Sequence, residues 1–418
     1  MPVSRRALLS RTGAAVLGMP AVRRAHAAEG LKLGCLTDLN GPYSDLTGKG
    51  SIGAIRLAIE DFGHLHPDIP VELTSADFSL KPDTGLGILR GWFDRDGVDA
   101  ALDFPMSALA LAATRVLEEK NKVGLITSAA TSELTRGSCG PNHVQFSSDT
   151  YSLAASLVRS LVQQGGDTWY FVMPNYELGK SMVADASRAV TENGAKILGA
   201  ATYAFPGTSD FSSVLLQAQS SGAKVICMAN AGEDLTNSLK QAREFGLADG
   251  GRVMALPFMG EPTILSLGLA AAGGGYFPAP FYWDRDAGSR AFTARLAAFV
   301  PANQRPNKNW ANAYAGAFHY LKTAAGMGVA RAKADGRAAV EAMKALPLDD
   351  SLFGRSSIRR DGQALHDMLL LRIKTPDQSR GPGDYCDIVQ VLPAEQAVRP
   401  IGVGGCKLVT GYTRDIKH

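Results

Sequence analysis

The chain has 418 residues, of which 45% are hydrophobic and 20% charged, with 45 glycines and 21 prolines. That length exceeds one ordinary domain of ~100–200 residues and predicts two, and the composition excludes collagen-like, disordered and multi-span membrane chains. The formal charge of +3 misleads: residues 1–27 hold Arg5, Arg6, Arg11, Arg23 and Arg24 and no acid, and without them 38 basic residues face 40 acidic ones. No basic surplus remains to suggest a nucleic-acid partner.

Residues 1–27 read as an export signal rather than as structure. Arg5-Arg6 is followed by a short apolar run, 13–19, and Ala25-His26-Ala27 fits a small-x-small cleavage site. The paired arginines point to the twin-arginine route, with an ordinary secretory signal as the competing reading. The apolar run is far short of the ~20 residues that span a bilayer. A lipid anchor would need cysteine at the cleavage point, where Ala27, Ala28 and Glu29 stand. The mature protein is therefore expected in the periplasm.

From residue 31 onward, strands and helices alternate. The patterns predict strands at 31–39, 71–75, 98–104 and 123–126, interleaved with helices at 52–62, 86–93 and 107–119. The pattern restarts with helices at 151–164, 178–193, 211–220 and 235–245, and strands at 168–173, 197–204, 224–228, 253–256 and 275–283. Helices at 291–299, 310–327 and 337–345 and a late strand at 365–373 follow. Such alternation implies parallel sheets with helices on both faces. The expected fold is α/β, with two doubly wound lobes joined by a multi-segment hinge. Lobe I is expected to take 28–148 plus 282–352 and lobe II 149–281 plus 353–398, with 399–418 a C-terminal extension. Crossings are expected near 147–150, 278–284 and 350–355.

Five cysteines occur, none in CxxC spacing and none clustered with histidine, so no metal site is expected. Cys35 and Cys227 sit in apolar strand-like runs and read as buried hydrophobes. Cys139 and Cys406 lie in glycine-rich loops and are the better disulfide pair, with Cys386 the competing partner.

Two glycine motifs are decoys. Residues 48–53 match GxGxxG, but eight polar loop residues separate them from the strand end, where a dinucleotide site needs an immediate turn. Gly179-Lys180-Ser181 resembles the end of a phosphate loop, but Pro174 stands where its first glycine belongs. HExxH and GxSxG are absent and no SxxK stands with its partner motifs, so neither an enzyme nor a cofactor is expected. What remains is polar loops at strand ends, where open α/β sheets bind ligands. Ser107 follows the strand ending at Phe104 and would cap the next helix, and 127–135 is a run of small hydroxyl residues after Ile126. Helix-start N–H groups with small hydroxyls form an anion cradle; a plain cap and a solvated loop are the alternatives.

These loops carry a family resemblance. Residues 34–38 with Gly41-Pro42-Tyr43-Ser44 and Gly48, Met106-Ser107-Ala108, Ser128-Ala129-Ala130-Thr131 with Glu133-Leu134-Thr135, and Asn175-Tyr176-Glu177-Leu178-Gly179 are its core, extended by Gly207-Thr208-Ser209-Asp210-Phe211 and Asn230-Ala231-Gly232 with Asp234. Over 31–373 the chain resembles the periplasmic type I solute-binding proteins of ABC importers, in their Leu/Ile/Val-binding branch; 375–418 resembles the longer members linked to aromatic acids and amides. The resemblance implies two lobes closing on a small solute, an amino acid, aromatic acid or small amide, for delivery to a membrane permease and its ATPase, by a monomer. It implies that Ser107, Ser128, Ala129 and Thr131 hold a carboxylate and that Tyr43 and Tyr176 cover the ligand. It further implies that Asp234, or its neighbour Glu233, meets an ammonium where the solute has one. A ligand sensor on the same fold is the alternative, with an exported enzyme behind it.

Overall fold

The computed structural model describes residues 30–248, 251–301 and 303–409. The expected export segment lies outside the described residues. Two sheets dominate. The first contains β1 (Leu31–Thr37), β2 (Val71–Asp77), β3 (Ala100–Asp103), β4 (Val123–Ile126) and β5 (His143–Gln145), in the order β2-β1-β3-β4-β5 and parallel throughout. Its central strands are apolar on both faces because both are covered. Leu31, Leu33 and Cys35 of β1 face a core built with helices Gly48–Leu65, Lys308–Met327 and Gly336–Ala345. Leu36 faces the opposite core, with helices Pro82–Asp94 and Ser107–Lys120.

The second sheet contains β6 (Thr168–Pro174), β7 (Lys196–Tyr203), β8 (Val225–Met228), β9 (Val253–Ala255) and β10 (Tyr276–Ala279). After a small hairpin of β11 (Leu348–Asp350) and β12 (Gly354–Ser356), the chain adds β13 (Met368–Ile373) and β14 (Cys386–Leu392). The order is β14-β13-β10-β9-β8-β6-β7. β6 to β10 pair in parallel, while β13 and β14 join antiparallel. The expected doubly wound architecture is therefore present, with an antiparallel edge on the second sheet. β14 has no counterpart in the sequence reading, although Ile388, Val389, Val391 and Leu392 form an apolar, largely β-branched run; five of its seven residues are exposed because it is an edge strand.

The chain passes between the sheets after Gln145 and again after Ala279. The third passage is later than the expected 350–355: Ile358 and Ala364 are in the first-sheet core and Gln363 bridges to Gln145, so 353–364 packs with the first sheet. The C-terminal tail then returns. Arg399 is buried and donates to the Thr135 carbonyl at 3.2 Å, and Cys139 and Cys406 are disulfide-bonded. Cys35, Cys227 and Cys386 are free and buried. No helix among the described residues is long and apolar enough to cross a membrane.

The glycines of 48–53 serve packing. A Cβ on Gly50 would lie 1.9 Å from the Trp310 ring and one on Gly53 2.7 Å from Phe299. Small residues here let helix Gly48–Leu65 lie close against Lys308–Met327.

Candidate functional site

The carboxyl ends of the central strands of the two sheets face each other. β3 ends at Asp103, whose φ of 85° is in a region that side chains rarely adopt. Its carbonyl accepts from the N–H groups of Thr127 (3.2 Å) and Ser128 (3.3 Å), and its carboxylate accepts from the hydroxyls of both. Burial pushes the Asp103 carboxyl up to about 6, against hydrogen bonds from Ser128, Thr37, Thr127 and Ser51 that pull it down. This buried acid fixes the start of the 127–135 loop and aims Ser128.

Ser128 lines a cavity between the lobes, whose empty volume, its mouth to solvent included, is about 530 Å³. Tyr43, Leu46, Thr47, Pro105, Ala130, Ser147, Ser148, Lys308 and Asn309 line it from first-lobe and hinge segments, and Leu153, Leu178, Ala231 and Phe258 from the second lobe. Tyr43, Leu46 and Ala130 share one apolar cluster with Leu153, Leu178, Ala231 and Phe258. The lobes are closed on one another, and the space between them is apolar with a few hydroxyl, amide and ammonium groups at its edge.

One rim is an aromatic lid. The hydroxyls of Tyr43 and Tyr176 are hydrogen-bonded to each other, and Phe205 stacks on Tyr176 with ring centroids 4.7 Å apart. Beside them the Glu233 N–H donates to the Pro42 carbonyl at 3.0 Å. Gly232 permits this contact: its φ is +62°, and a Cβ would sit 2.1 Å from the Pro42 oxygen.

The other expected site residues separate by position. Asp234 is buried while Glu233 is exposed, so Asp234 is the acid turned inward. It does not line the cavity; burial pushes its carboxyl up to about 6, with the Tyr203 hydroxyl lowering it and Glu233 raising it. Its charge in turn raises Tyr43 and Tyr176, whose main cause is burial. Ser107 is the first residue of its helix rather than the cap, which is Met106, and it does not line the cavity. Ala129 is buried, and its carbonyl is taken by Gln145 Nε2 (3.1 Å) and the Ser147 hydroxyl. The Thr131 hydroxyl points across the lobe boundary, donating to Glu177 Oε1 and Ser181 Oγ, each at 3.2 Å. Ser128 and Tyr43 are the expected residues that line the cavity.

Lys308, Asn309 and Glu261 were not expected. Lys308 and Asn309 open a 20-residue helix that Asn307 caps, its side chain accepting from the N–H groups of Asn309 (2.8 Å) and Trp310 (3.2 Å). An asparagine before a helical run is a start signal, and it would have moved the expected start from 310 back to 308. Lys308 Nζ donates to the Pro257 carbonyl at 3.3 Å. Burial lowers Lys308 to about 8, opposed by Glu261, and burial raises Glu261 to about 8.

The comparisons with known proteins agree with this geometry. A family model described as periplasmic binding protein matches residues 30–381. A periplasmic binding protein from Burkholderia mallei is 35% identical, with a TM-score of 0.84 over 91% of this chain and 99% of that one. A branched-chain amino acid ABC transporter periplasmic ligand-binding protein from Burkholderia xenovorans LB400 is 36% identical, with a TM-score of 0.79 over 88% and 97%. A solute-binding protein of an ABC transporter from R. palustris, in complex with benzoate, shares the fold at 18% identity, with a TM-score of 0.76 over 87% and 97%. Among curated proteins none matches. The chain belongs to the periplasmic binding protein family, as a type I solute-binding protein of the ABC-transporter class.

Proposed function

We propose that the mature protein works in the periplasm, after export by the twin-arginine route, as a monomer that captures a small carboxylate-bearing solute and delivers it to the permease and ATPase of an ABC importer. The observation that carries this reading is the cavity between two lobes that touch through Tyr43 and Tyr176. A two-lobe cleft of this kind binds by closing: contacts from both sides are available only in the closed state, so a solute there shifts the population toward it. In this reading Tyr43 and Tyr176 cover the solute, and Ser128, its hydroxyl proton given to Asp103, lines the cavity beside it. Ser107, Ala129 and Thr131 hold the loops in place, and Asp234 lies outside the cavity lining. Glu233, exposed beside it, takes no part.

The test is a thermal-shift screen of the purified mature protein with amino acids, aromatic acids and small amides, followed by calorimetry. A ligand that binds only the folded state raises the melting temperature by mass action. At least one carboxylate should do so and leave the assay chemically unaltered. A panel without any shift, or a solute that is converted, would sink the reading.

A further inference from the structure

Among the residues lining the cavity, Lys308 is the one that carries a charge. It stands on neither of the loops expected to hold a carboxylate. It enters from the first turn of helix Lys308–Met327, where the helix dipole adds positive potential. Its hydrogen-bond partner is a neutral carbonyl, that of Pro257 at 3.3 Å. An ammonium has three donors, so two are left over. The acid nearest to it in effect, Glu261, is buried and forms no ion pair with it within 4 Å; one Glu261 carboxyl oxygen is itself unpartnered. A cation beside apolar walls with incomplete pairing is costly. An incoming carboxylate would complete it with short, charge-assisted hydrogen bonds.

The opposite charge is missing from the cavity. Asp234, the acid suited to an ammonium, does not line it. The remaining lining is mostly Leu, Ala, Pro, Phe and Tyr, with hydroxyls from Thr47, Ser128, Ser147 and Ser148. An amino acid brings one positive and one negative group; this cavity answers the negative one alone.

We propose that Lys308 anchors the solute's carboxylate, and that the solute is a monocarboxylate with an aromatic or branched apolar body and no ammonium group. This rests on reading the cleft as the solute site. It narrows the class and moves the head group from the 127–135 loop toward the start of helix Lys308–Met327, because the Ser128 hydroxyl proton is already given to Asp103.

The experiment is calorimetry on the full mature protein with benzoate, 4-methyl-2-oxopentanoate, L-leucine and benzamide. Benzoate or the oxo acid should bind at least tenfold more tightly than its ammonium-bearing or amide counterpart. Lys308→Met keeps the stem and removes the charge; it should weaken carboxylate binding tenfold or more, while Lys308→Arg retains part of it. A melting temperature equal to or above that of the wild type shows that Lys308→Met is folded. Unchanged carboxylate affinity in folded Lys308→Met overturns the anchor, and tighter binding of L-leucine than of 4-methyl-2-oxopentanoate overturns the solute class; both leave the transport reading standing. If none of these compounds binds and the wider screen is also empty, the reading of the cleft falls too.

Discussion

The side chains of Tyr43 and Tyr176 are 133 residues apart in sequence and belong to opposite lobes, yet their hydroxyls share one hydrogen bond. Tyr43 is held from behind: its N–H donates to Asp38 Oδ2 at 2.9 Å, and Asp38 also accepts from Gly41. Tyr176 is held by its stack on Phe205. The lid is thus two pre-positioned rings whose meeting reports closure.

Breaking that bond should loosen closure without unfolding either lobe. A neutral hydrogen bond is worth ~1 kcal/mol net, so Tyr43→Phe or Tyr176→Phe should weaken solute binding ~5-fold by lowering the closed population. The double variant should lose little more than either single, because both remove the same bond. Calorimetry on the three variants checks this, and strictly additive losses would mean that each tyrosine acts separately on the solute.

Gly232 gives a sharper lever on the same motion. Its backbone has positive φ, and its missing Cβ makes room for the Pro42 carbonyl across the lobe boundary. Gly232→Ala should obstruct the closed state, since the clash is with backbone and cannot be relieved by a rotamer change. Solute affinity should fall more than tenfold. Small-angle scattering at saturating solute should show a larger radius of gyration than in the wild type. A variant that compacts like the wild type would show that the lobes close without this contact.

Much of this was legible in the sequence, for identifiable reasons. Strand Val123–Ile126 has the bounds that its apolar run predicts, because a strand buried on both faces has nothing but apolar residues to read. The pair Cys139 and Cys406 was favoured by its loop settings with Cys386 left as a rival, and the disulfide between Cys139 and Cys406 is the one formed. The loop 127–135 was found, but not which of its side chains turn to the cavity: Ser128 and Ala130 do, while Ala129 and Thr131 are drawn away by Gln145 and Glu177. That choice is made by partners distant in sequence. Lys308 was invisible for the same reason, since only the packing of its helix on Gly48–Leu65 brings it to the cleft. β14 was missed although Ile388, Val389 and Val391 are strand-forming residues that a β-branched run makes legible.

The buried acid behind Ser128 should give the protein a specific pH signature. In the folded state burial raises Asp103 to about 6 from an ordinary 3.8. The folded protein therefore holds this proton more tightly than the unfolded chain does. The resulting stabilisation is fully present below the unfolded value of ~4 and is lost as pH rises through ~6, a difference of ~2–3 kcal/mol between pH 4 and pH 8. Asp234 and Glu261, also raised by burial, slope the same way, whereas buried His319 and His366, lowered to about 4 and about 3, favour folding as pH rises. The wild-type curve mixes all of these, so the informative quantity is the difference from Asp103→Asn. Asparagine tolerates positive φ and keeps an oxygen to accept from the Thr127 and Ser128 hydroxyls, but it does not titrate. At pH 8 Asp103→Asn should melt above the wild type, and the gap should close as pH falls through 6 toward 4. Denaturant unfolding of both proteins across this range measures it; a gap that stays constant with pH would show that the Asp103 carboxyl is not raised in the folded protein.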